Sequence, residues 1–444
     1  MQLVSDNILE EALQSEPRYP AIYPKIGSFN LTRPSAFTNG HPYAHYKALR
    51  ENAPVSWSPL AGKARGIWSV TRYEDIKAVE LAPDIFSSER GSINMAIPPK
   101  YLRFPKKLVP ASLNNLINLD APRHMEMRLQ QKEFFIPKYV ATLRDKVAAK
   151  IDSLLDDVEA QAKSSPSQEA DFVKTFSEQL PLYTLCEMLG VDEEDRPKIV
   201  RWMHYLELAP QITTAPWTTI KNDPLLIPRF IKTVRDMFKY GEIVMAERRA
   251  NPRNDLLTVI ANSTLGGETL PQEYLDGSWL LIIFAGNDTT RNSLSGTMRL
   301  LTQFPDQKRM LLEDPSHIPK MNQEALRMTS PVMHMRRTAV EDTELAGQKI
   351  AKDEKVVLWF GAANRDPDIF ENPDAFNILR PNAAKHLAFG HGPHKCLGSR
   401  IAQLQLRLAY EKILDRFPNI TWTGEQTIAP NNFVHGITSL KVRL

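Results

Sequence analysis

The stretch HLAFGHGPHKCLGSR, residues 386 to 400, constrains this chain more than any other part of its sequence. It places Cys396, one of only two cysteines, among histidines and glycines and directly before a helical pattern that runs from about 399 to 416. The start of a helix favours an anionic thiolate over a thiol, whose ordinary pKa is about 8.5. The position of Cys396 therefore favours metal ligation over packing.

Zinc is the first metal to consider, because His386, His391, His394 and Cys396 lie within a span of 11 residues. Zinc ligands usually come as two separated pairs, and no second pair accompanies this group. A zinc module stays an alternative with little support from the spacing. His386 and His391 receive no role from the sequence.

A single thiolate on iron has different needs, namely a rigidly held sulfur, backbone N–H groups aimed at it and a dry surrounding. Gly390 and Gly392 permit the tight turn that such a loop requires, and Phe389 is positioned to shield the sulfur. Gly398 allows a helix to begin close to a flat macrocycle. The stretch thus has the parts of an iron–thiolate loop.

Composition narrows the class of protein and its location. The 444 residues are 42% hydrophobic and 24% charged, and 55 basic against 52 acidic residues give a net charge of +3, which offers no support for nucleic-acid binding. Cys186 lies in the apolar run LYTLCEMLG and is expected to be buried rather than joined to Cys396, which favours a reducing compartment. No signal peptide and no apolar run of roughly 18 residues is apparent, so we expect a cytoplasmic protein without a membrane anchor.

The order of predicted elements indicates a mainly helical protein with small peripheral sheets. Strand-like segments, APVSWSPL and GIWSVTRY, follow a proline-rich start, and helical patterns dominate from about 121 to 249. One long helix is predicted from about 271 to 304, ending before Pro305. Short strands and the final helix follow after about 339.

Two apolar segments with spaced prolines, residues 91–113 and 208–228, interrupt this pattern. Their prolines exclude long helices, although both segments are apolar enough to pack against other parts of the chain. Mobile covers over a pocket and ordinary long surface loops are both compatible with these residues.

The sequence FGHGPHKCLG resembles the heme-ligand signature of the cytochrome P450 monooxygenases: a phenylalanine, two spaced glycines, a basic residue, the cysteine and a glycine. The resemblance implies the cytochrome P450 fold, mainly α with small peripheral β-sheets, and the cofactor heme b, iron protoporphyrin IX. It also implies that Cys396 is the axial thiolate and that His394 contacts a heme propionate. It covers residues 42–444 as a single domain and leaves residues 1–41 as an N-terminal arm.

A family member should carry an oxygen-activating helix, and FAGNDTTRNS, residues 284–293, lies inside the predicted long helix. The Thr289 hydroxyl can turn back to the Ala285 carbonyl, which loosens the helix beside Gly286 and makes room for dioxygen. Asp288 is a proton source for the cleavage of dioxygen, and the acid and the alcohol together are the predicted catalytic pair. Taken alone, NDTT is equally compatible with the start of a new helix.

Further motifs match the family in order along the chain. Glu324 and Arg327 in NQEALRM match its Glu-x-x-Arg pair, which joins a later arginine, here Arg380, to stabilise the cysteine side of the core; Asn377 replaces a frequent aspartate. The resemblance assigns the remaining propionate contacts to cations in RHMEMR and MRRTA, namely His124, Arg128 and Arg337. Buried charges require such partners.

Partners and substrate follow from the same resemblance. Soluble bacterial members receive electrons from a 2Fe-2S ferredoxin and a ferredoxin reductase, and a basic patch of Lys385, Lys395, Arg400 and Arg407 is a candidate landing site for the ferredoxin, although a solvated surface is an equal alternative. The segments that face substrate in the family are here INMAIPPKYLRF, WLLIIFAG, SPVMHMR and NNFVHG. They are mostly apolar, which predicts a hydrophobic small-molecule substrate.

The subfamily likeness favours an alkane, a fatty acyl chain or a terpenoid, with a steroid or an aromatic hydrocarbon as the alternative. Arg103, Lys106 or Lys107 are candidate contacts for a substrate carboxylate, although solvated side chains are the simpler interpretation. A peroxide-driven enzyme is a further alternative, but Asp288 and Thr289 would then be unnecessary. A heme carrier without turnover would need Cys396 alone.

Overall fold

The computed structural model describes residues 17–22, 30–60, 66–93, 106–208 and 223–444. Most of the two proline-spaced segments lies outside these ranges, so their interpretation as covers over a pocket stays a prediction. Arg103 also lies outside the described residues.

Helices make up most of the described chain, as the sequence predicts. Their bounds are α1 Tyr43–Asn52, α2 Tyr73–Leu81, α3 Leu108–Leu113, α4 Arg123–Gln131, α5 Pro137–Thr142, α6 Arg144–Ser164, α7 Gln179–Leu189, α8 Arg196–Glu207, α9 Leu226–Ala250, α10 Leu256–Ala261, α11 Gln272–Ala285, α12 Asp288–Gln303, α13 Pro305–Glu313, α14 Ile318–Thr329, α15 Phe360–Ala363 and α16 Ser399–Arg416. No helix in the described ranges is both long enough and apolar enough to cross a membrane.

The strands are short and lie in separate small sheets. Their bounds are β1 Val55–Ser58, β2 Ile67–Val70, β3 Phe86–Ser87, β4 Glu169–Asp171, β5 Thr264–Leu265, β6 Glu268–Thr269, β7 His334–Ala339, β8 Thr343–Leu345, β9 Gln348–Ile350, β10 Lys355–Trp359, β11 Thr421–Ala429 and β12 Gly436–Arg443. The largest sheet has the order β1-β2-β10-β7-β3, in which β10 runs parallel to β2 and the other pairs are antiparallel. A second sheet has the order β11-β12-β4, and β5-β6 and β8-β9 are hairpins.

The main hydrophobic core lies among the helices and is formed by residues of α6, α7, α9, α11, α12, α14 and α16. Two smaller cores flank the large sheet. In one of them, Leu31 and Phe37 pack with Tyr46 and Trp359, and the Phe37 and Trp359 rings stack at 5.7 Å. Residues before α1 therefore contribute buried side chains to the body of the protein, whereas the division between residues 1–41 and 42–444 stays a prediction.

The structure corrects the prediction of one continuous helix from 271 to 304. The helix ends at Ala285 and restarts at Asp288, with Gly286 and Asn287 between them. Asn287 has backbone angles of φ −109° and ψ −59°, away from ideal helical values. The apolar run WLLIIFAG precedes the break and no proline interrupts the chain before Pro305, which explains why the sequence predicted a single helix. Its predicted end before Pro305 is confirmed, because Pro305 is the first residue of α13.

Candidate active site

The Cys396 loop joins a short helical turn, Gly392–His394, to α16. The Cys396 N–H donates to the Phe389 carbonyl at 2.8 Å and closes the loop. Gly390 and Gly392 have φ values of +68° and +63°, which glycine adopts without strain, and a Cβ on Gly392 would lie 2.5 Å from the Glu80 carbonyl oxygen. These glycines are therefore required by the backbone path and by close packing against α2.

Gly398 differs from the two turn glycines. It caps the N-terminus of α16 with an ordinary φ of −79°, and the nearest atom to a Cβ placed there is the Cys396 Sγ at 4.0 Å. The protein's own packing does not require glycine at this position. A requirement for Gly398 must therefore come from a group that lies beside the sulfur.

The Cys396 side chain is accessible to solvent, yet enough protein surrounds it to desolvate the thiol. Burial raises the pKa of Cys396, and the backbone N–H groups of Gly398 and Ser399 together with Arg128 act against that rise. The expectation that the helix start favours the thiolate is thus correct for the helix contribution alone, because burial outweighs it in the protein. A sulfur that is both accessible and enclosed faces an internal space.

Four cationic or potentially cationic side chains converge beside this loop, as the motifs predict. The rings of His124 and His394 lie 4.1 Å apart between centroids, and Arg128 Nη2 donates to the Lys395 carbonyl at 2.6 Å. Burial lowers the pKa of His124 to about 4 and that of His394 to about 2, and the nearby arginines add to both effects. Burial also lowers the pKa of Arg337, which is 4% exposed.

Glu80 is the carboxylate of this cluster that the sequence did not predict. It lies at the end of α2, is 5% exposed, and its Oε1 is 3.8 Å from Arg337 Nη2. Burial raises its pKa to about 7, while Arg337 and the His391 backbone oppose the rise. A single glutamate in an ordinary helix gives no sequence signal for this position, because the contact depends on how α2 packs against the Cys396 loop.

The predicted catalytic pair, Asp288 and Thr289, lies directly after the break between α11 and α12. The Thr289 hydroxyl donates to the Ala285 carbonyl at 3.4 Å, as the sequence predicts, and Ala285 is exposed although Ile283 and Asn287 beside it are buried. A Cβ on Gly286 would lie 3.1 Å from the methyl groups of Leu185, so the backbone here packs closely on α7. Ala285 and Thr289 thus lie on the open side of the helix break, and Gly286 on its packed side.

Asp288 begins a chain of buried charged residues that the sequence did not reveal. It is 5% exposed, its Oδ1 lies 3.6 Å from Arg291 Nη2, and Arg291 Nη1 donates to Glu207 Oε1 at 2.8 Å. Burial raises the pKa of Asp288 well above its ordinary value, Arg291 opposes the rise and Glu207 reinforces it. Glu178 lies near the same group and pairs at 2.8 Å with His204, whose side chain is 52% exposed. The i, i+3 spacing of Asp288 and Arg291 was the only signal available in the sequence.

The Glu-x-x-Arg motif forms a fully buried charged network. Glu324 and Arg327 are both 0% exposed, and Arg327 donates through Nε and Nη2 to the two carboxylate oxygens at 2.8 Å each. Arg380 Nε donates to the same carboxylate at 3.0 and 3.1 Å, as predicted. The backbone N–H of Asn377 completes the set at 3.1 Å, so the side chain that differs from the family pattern is not needed for this contact.

The apolar segments expected to face substrate converge where the structure describes them. Phe284 of α11 stacks on Phe433 near the C-terminus, with ring centroids 5.9 Å apart, and His334 meets Phe433 edge to face at 5.5 Å. A backbone bridge pairs Val332 with Val434. Asn292 is buried and joins α12 to this region by accepting a hydrogen bond from the Ile437 N–H at 2.8 Å.

Other predicted positions fall elsewhere. Lys107 pairs with Glu242 and lies 3.3 Å from Asp276, so its charge is already matched by carboxylates, and Lys106 is exposed. In the proposed landing patch, Lys385, Lys395 and Arg400 are exposed, whereas Arg407 pairs with Glu411.

The histidines without an assigned role and the second cysteine take structural positions. His386 Nε2 lies 3.2 Å from Gln323 Oε1, and burial lowers its pKa to about 4. No group of three or more histidine, cysteine, aspartate or glutamate residues within the described chain could hold a metal ion, which argues against the zinc cluster. Cys186 is 0% exposed, and burial raises its pKa to about 11; like Cys396 it is free, as expected.

Comparison with known proteins identifies the family. Residues 100–442 match the cytochrome P450 family. The chain is 32% identical to linalool 8-monooxygenase of Pseudomonas putida, covering 94% of this chain and 98% of that protein, and 30% identical to steroid C26-monooxygenase of Rhodococcus jostii, covering 98% and 87%. Among solved structures, the Mycobacterium marinum cytochrome P450 CYP268A2 in complex with pseudoionone superposes with a TM-score of 0.82 at 30% identity, covering 95% of this chain and 99% of that one.

A helical fold with a lone enclosed cysteine beside clustered cations defines a heme-thiolate protein. The chain belongs to the cytochrome P450 family. It is a cytochrome P450 monooxygenase, and members of this family bind iron protoporphyrin IX through a cysteine thiolate.

The residues present fit this cofactor. Burial lowers the pKa values of His124, Arg128, Arg337 and His394, as expected where buried cations lack sufficient anionic partners. The buried Nε2 of His124 also has no hydrogen-bond partner among the described residues. Two propionates match this donor set, and the enclosed sulfur matches an iron ligand.

Proposed function

We propose that this protein is a monooxygenase that hydroxylates a hydrophobic aliphatic or terpenoid substrate with electrons from a 2Fe-2S ferredoxin and its reductase. The observation that carries the proposal is the enclosed, accessible Cys396 thiol beside four basic side chains, of which His124 and Arg337 are buried and Arg128 and His394 are half-buried. In this proposal Cys396 is the iron ligand, and His124, Arg128, Arg337 and His394 hold the propionates. Residues 42–444 form the heme domain, and the two free cysteines fit the reducing cytoplasm.

When bound, heme supplies the activation of dioxygen: the substrate C–H, O₂, two electrons and two protons give the alcohol and one water. The protein's part is to deliver the protons and exclude bulk water. Burial raises the pKa of Asp288 and so favours its protonated form. Thr289, on the open side of the helix break, positions that proton towards the reacting oxygen.

The buried charges behind Asp288 supply its next proton. Arg291 and Glu207 lie beside Asp288, the charge of Glu178 also acts on that group, and His204 pairs with Glu178 at a half-exposed position. The hydrogen bond to Glu178 raises the pKa of His204, so this ring carries a proton at neutral pH more often than a free histidine. The half-exposed His204 and the buried Asp288 are the two ends of the proposed route for proton resupply.

A hydrophobic substrate is supported by the apolar residues that converge near α11, including the stacked Phe284 and Phe433. Linalool 8-monooxygenase, similar over 94% of the chain, supports a terpenoid as the first choice. A steroid is the second candidate because steroid C26-monooxygenase is similar over 98% of the chain. Titrating linalool, pseudoionone, a long-chain fatty acid and testosterone against the heme spin-state spectrum separates these classes, since a fitting substrate displaces iron-bound water.

The deciding experiment for the mechanism is Thr289→Ala. We expect product formed per electron pair consumed to fall about 10-fold or more, because general acid catalysis contributes 10²–10⁴-fold, while heme content is unchanged. Thr297→Ala is the matched control, because its hydroxyl makes the same bond to the carbonyl four residues earlier, at 2.7 Å, on the same helix. Full coupling in Thr289→Ala would exclude the acid–alcohol mechanism.

A further inference from the structure

A polar cavity that Cys396 does not line is bounded by α12. Its volume is about 310 Å³, and it is enclosed by the start of α1, the second half of α12, the end of α14 and the start of β12. Among its lining residues are Tyr43, Arg299, Arg365, Asp374 and His435. Nothing in the proposed monooxygenase mechanism uses these side chains.

Arg299 is the main feature of this cavity. Its guanidinium lies 5.4 Å from the centre of the Trp422 ring, and its Nε is buried without a hydrogen-bond partner. In the described part of the chain, no hydrogen bond or ion pair joins it to a carboxylate. Burial lowers its pKa, which shows that the surroundings do not compensate the charge.

The other lining groups add donors and further positive charge. Arg365 is 8% exposed and pairs with Asp374 at 2.7 Å, but its Nε has no partner, and Asp374 is 77% exposed at the solvent side. Both ring nitrogens of His435 are buried without a partner, and a neutral imidazole provides one N–H donor. Two guanidinium groups and one imidazole thus face a space with a single, outward carboxylate.

We infer that this cavity is a binding site for a small oxyanion, the phosphate or carboxylate group of a metabolite, held by Arg299 with Arg365 and His435. The planar guanidinium suits bidentate contact with such a group. The bound anion would bridge α12, the segment after α15 that carries Arg365 and the start of β12. The site therefore offers a means by which a second ligand stabilises the enzyme.

The test uses the heme-loaded enzyme and follows its thermal unfolding with inorganic phosphate or succinate, with chloride at equal ionic strength as the reference. We expect at least one anion to raise the Tm by about 2 °C at saturation, as selective binding to the folded state requires. Arg299→Gln should abolish the rise. Arg309→Gln is the matched control, because it removes one arginine from the exposed face of the adjacent helix, where Arg309 pairs with Asp306.

Gln303→Glu provides a second test that does not depend on the folding of Arg299→Gln. Gln303 is the exposed last residue of α12 and lines the cavity, so the substitution adds a negative charge where the anion binds. We expect the apparent Kd for the anion, measured by calorimetry, to increase at least about 5-fold. The inference would be overturned if the anion did not raise the Tm of the wild type. It would also be overturned if the anion raised the Tm of Arg299→Gln and Gln303→Glu as much as that of the wild type. Neither outcome depends on hydroxylation activity.

Discussion

At the scale of single residues, two opposing influences act on the pKa of the Cys396 thiol. The backbone N–H groups at the start of α16 and Arg128 stabilise the thiolate, whereas burial acts more strongly in the opposite direction. An iron ion replaces the proton and removes that conflict, because a coordinating thiol is deprotonated outright. The loop is therefore arranged for a bound metal rather than for a free reactive thiolate.

Replacing Cys396 by alanine should remove the thiolate signature from the reduced carbon monoxide spectrum while the polypeptide still folds. The expected result follows from the loss of the only sulfur in the Cys396 loop. Cys186→Ala is the control, since Cys186 is the other cysteine and lies in the core. A thiolate-type spectrum that persists in Cys396→Ala would disprove the ligand assignment.

Sequence alone predicted the residues of the site better than their charge states. The positions of Cys396, His124 and His394 follow from local motifs, and the structure brings them together. Glu80 and Glu207 could not be predicted, because each belongs to an ordinary helix and meets the site only through tertiary packing. The net pKa of Cys396 depends in the same way on surrounding protein that no local pattern encodes.

At the scale of elements, Glu324, Arg327 and Arg380 join α14 to the chain that precedes the Cys396 loop. Arg327 Nη1 also donates to the carbonyls of Asn364 and Pro373 at 2.7 and 2.8 Å. Removing one partner of a buried charged network leaves the others uncompensated. The network therefore strongly stabilises the position of these segments. Replacing the whole network by apolar residues would not leave such an uncompensated charge.

Glu324→Gln should lower the free energy of unfolding by about 3–5 kcal/mol, because two buried arginines lose their charged acceptor. Denaturant unfolding of the heme-loaded enzyme measures this loss. Glu341→Gln, at an exposed position, is the control and should change stability by less than about 0.5 kcal/mol. Equal effects of the two variants would show that the network contributes nothing beyond surface charge.

The same network predicts a dependence of stability on acid. Burial alone would raise the pKa of Glu324, but the hydrogen bonds and charges of Arg327, Asn377 and Arg380 bring it below its ordinary value of 4.5. The folded state therefore binds fewer protons than the unfolded state in this range, and the stabilisation from Glu324 is complete above pH 4.5 and decreases below it. Between pH 7 and about pH 4, the free energy of unfolding of the wild type should decrease more than that of Glu324→Gln. An equal decrease in the two proteins would contradict this prediction.

The break in the long helix marks the limit of prediction from periodicity. Residues 286–293, GNDTTRNS, contain no large apolar side chain and no proline, so the sequence predicted one element where the structure has α11 and α12. The final helix was predicted correctly from 399 to 416, because a glycine-rich loop and Pro418 delimit it. Local signals predicted the ends of elements, and the interruption coincides with NDTT, which taken alone is also compatible with a helix start.

At the scale of the whole molecule, the overall charge of +3 is too small to steer a partner, so a local patch must do so. Lys385, Lys395 and Arg400 are exposed, while Glu411 neutralises Arg407. The effective patch is thus smaller than the sequence indicates. It lies beside the loop that carries Cys396.

Reversing two charges of this patch, in Lys385→Glu with Arg400→Glu, should raise the Kd for a 2Fe-2S ferredoxin by at least about 4-fold and flatten its salt dependence. The lower bound follows from about 0.2 kcal/mol for each of the two exposed charge contacts, doubled by reversal to about 0.8 kcal/mol in total. Lys163→Glu is the control, because Lys163 lies near the C-terminal end of α6, beside the end of α16 that is remote from Arg400. Unchanged affinity in the double variant would exclude this patch as the docking surface.

The parallel pairing of β2 with β10 determines when this protein can complete its fold during synthesis. Trp68 of β2 donates to Glu354 Oε2 at 2.8 Å across 286 residues of chain, and the Arg18 N–H reaches the other oxygen of the same carboxylate across 336. The N-terminal strands therefore leave the ribosome first, and the edge of β2 that pairs with β10 stays unpaired until most of the helical core has been synthesised. Slow translation between these two regions would lengthen that exposure and favour aggregation of the nascent chain.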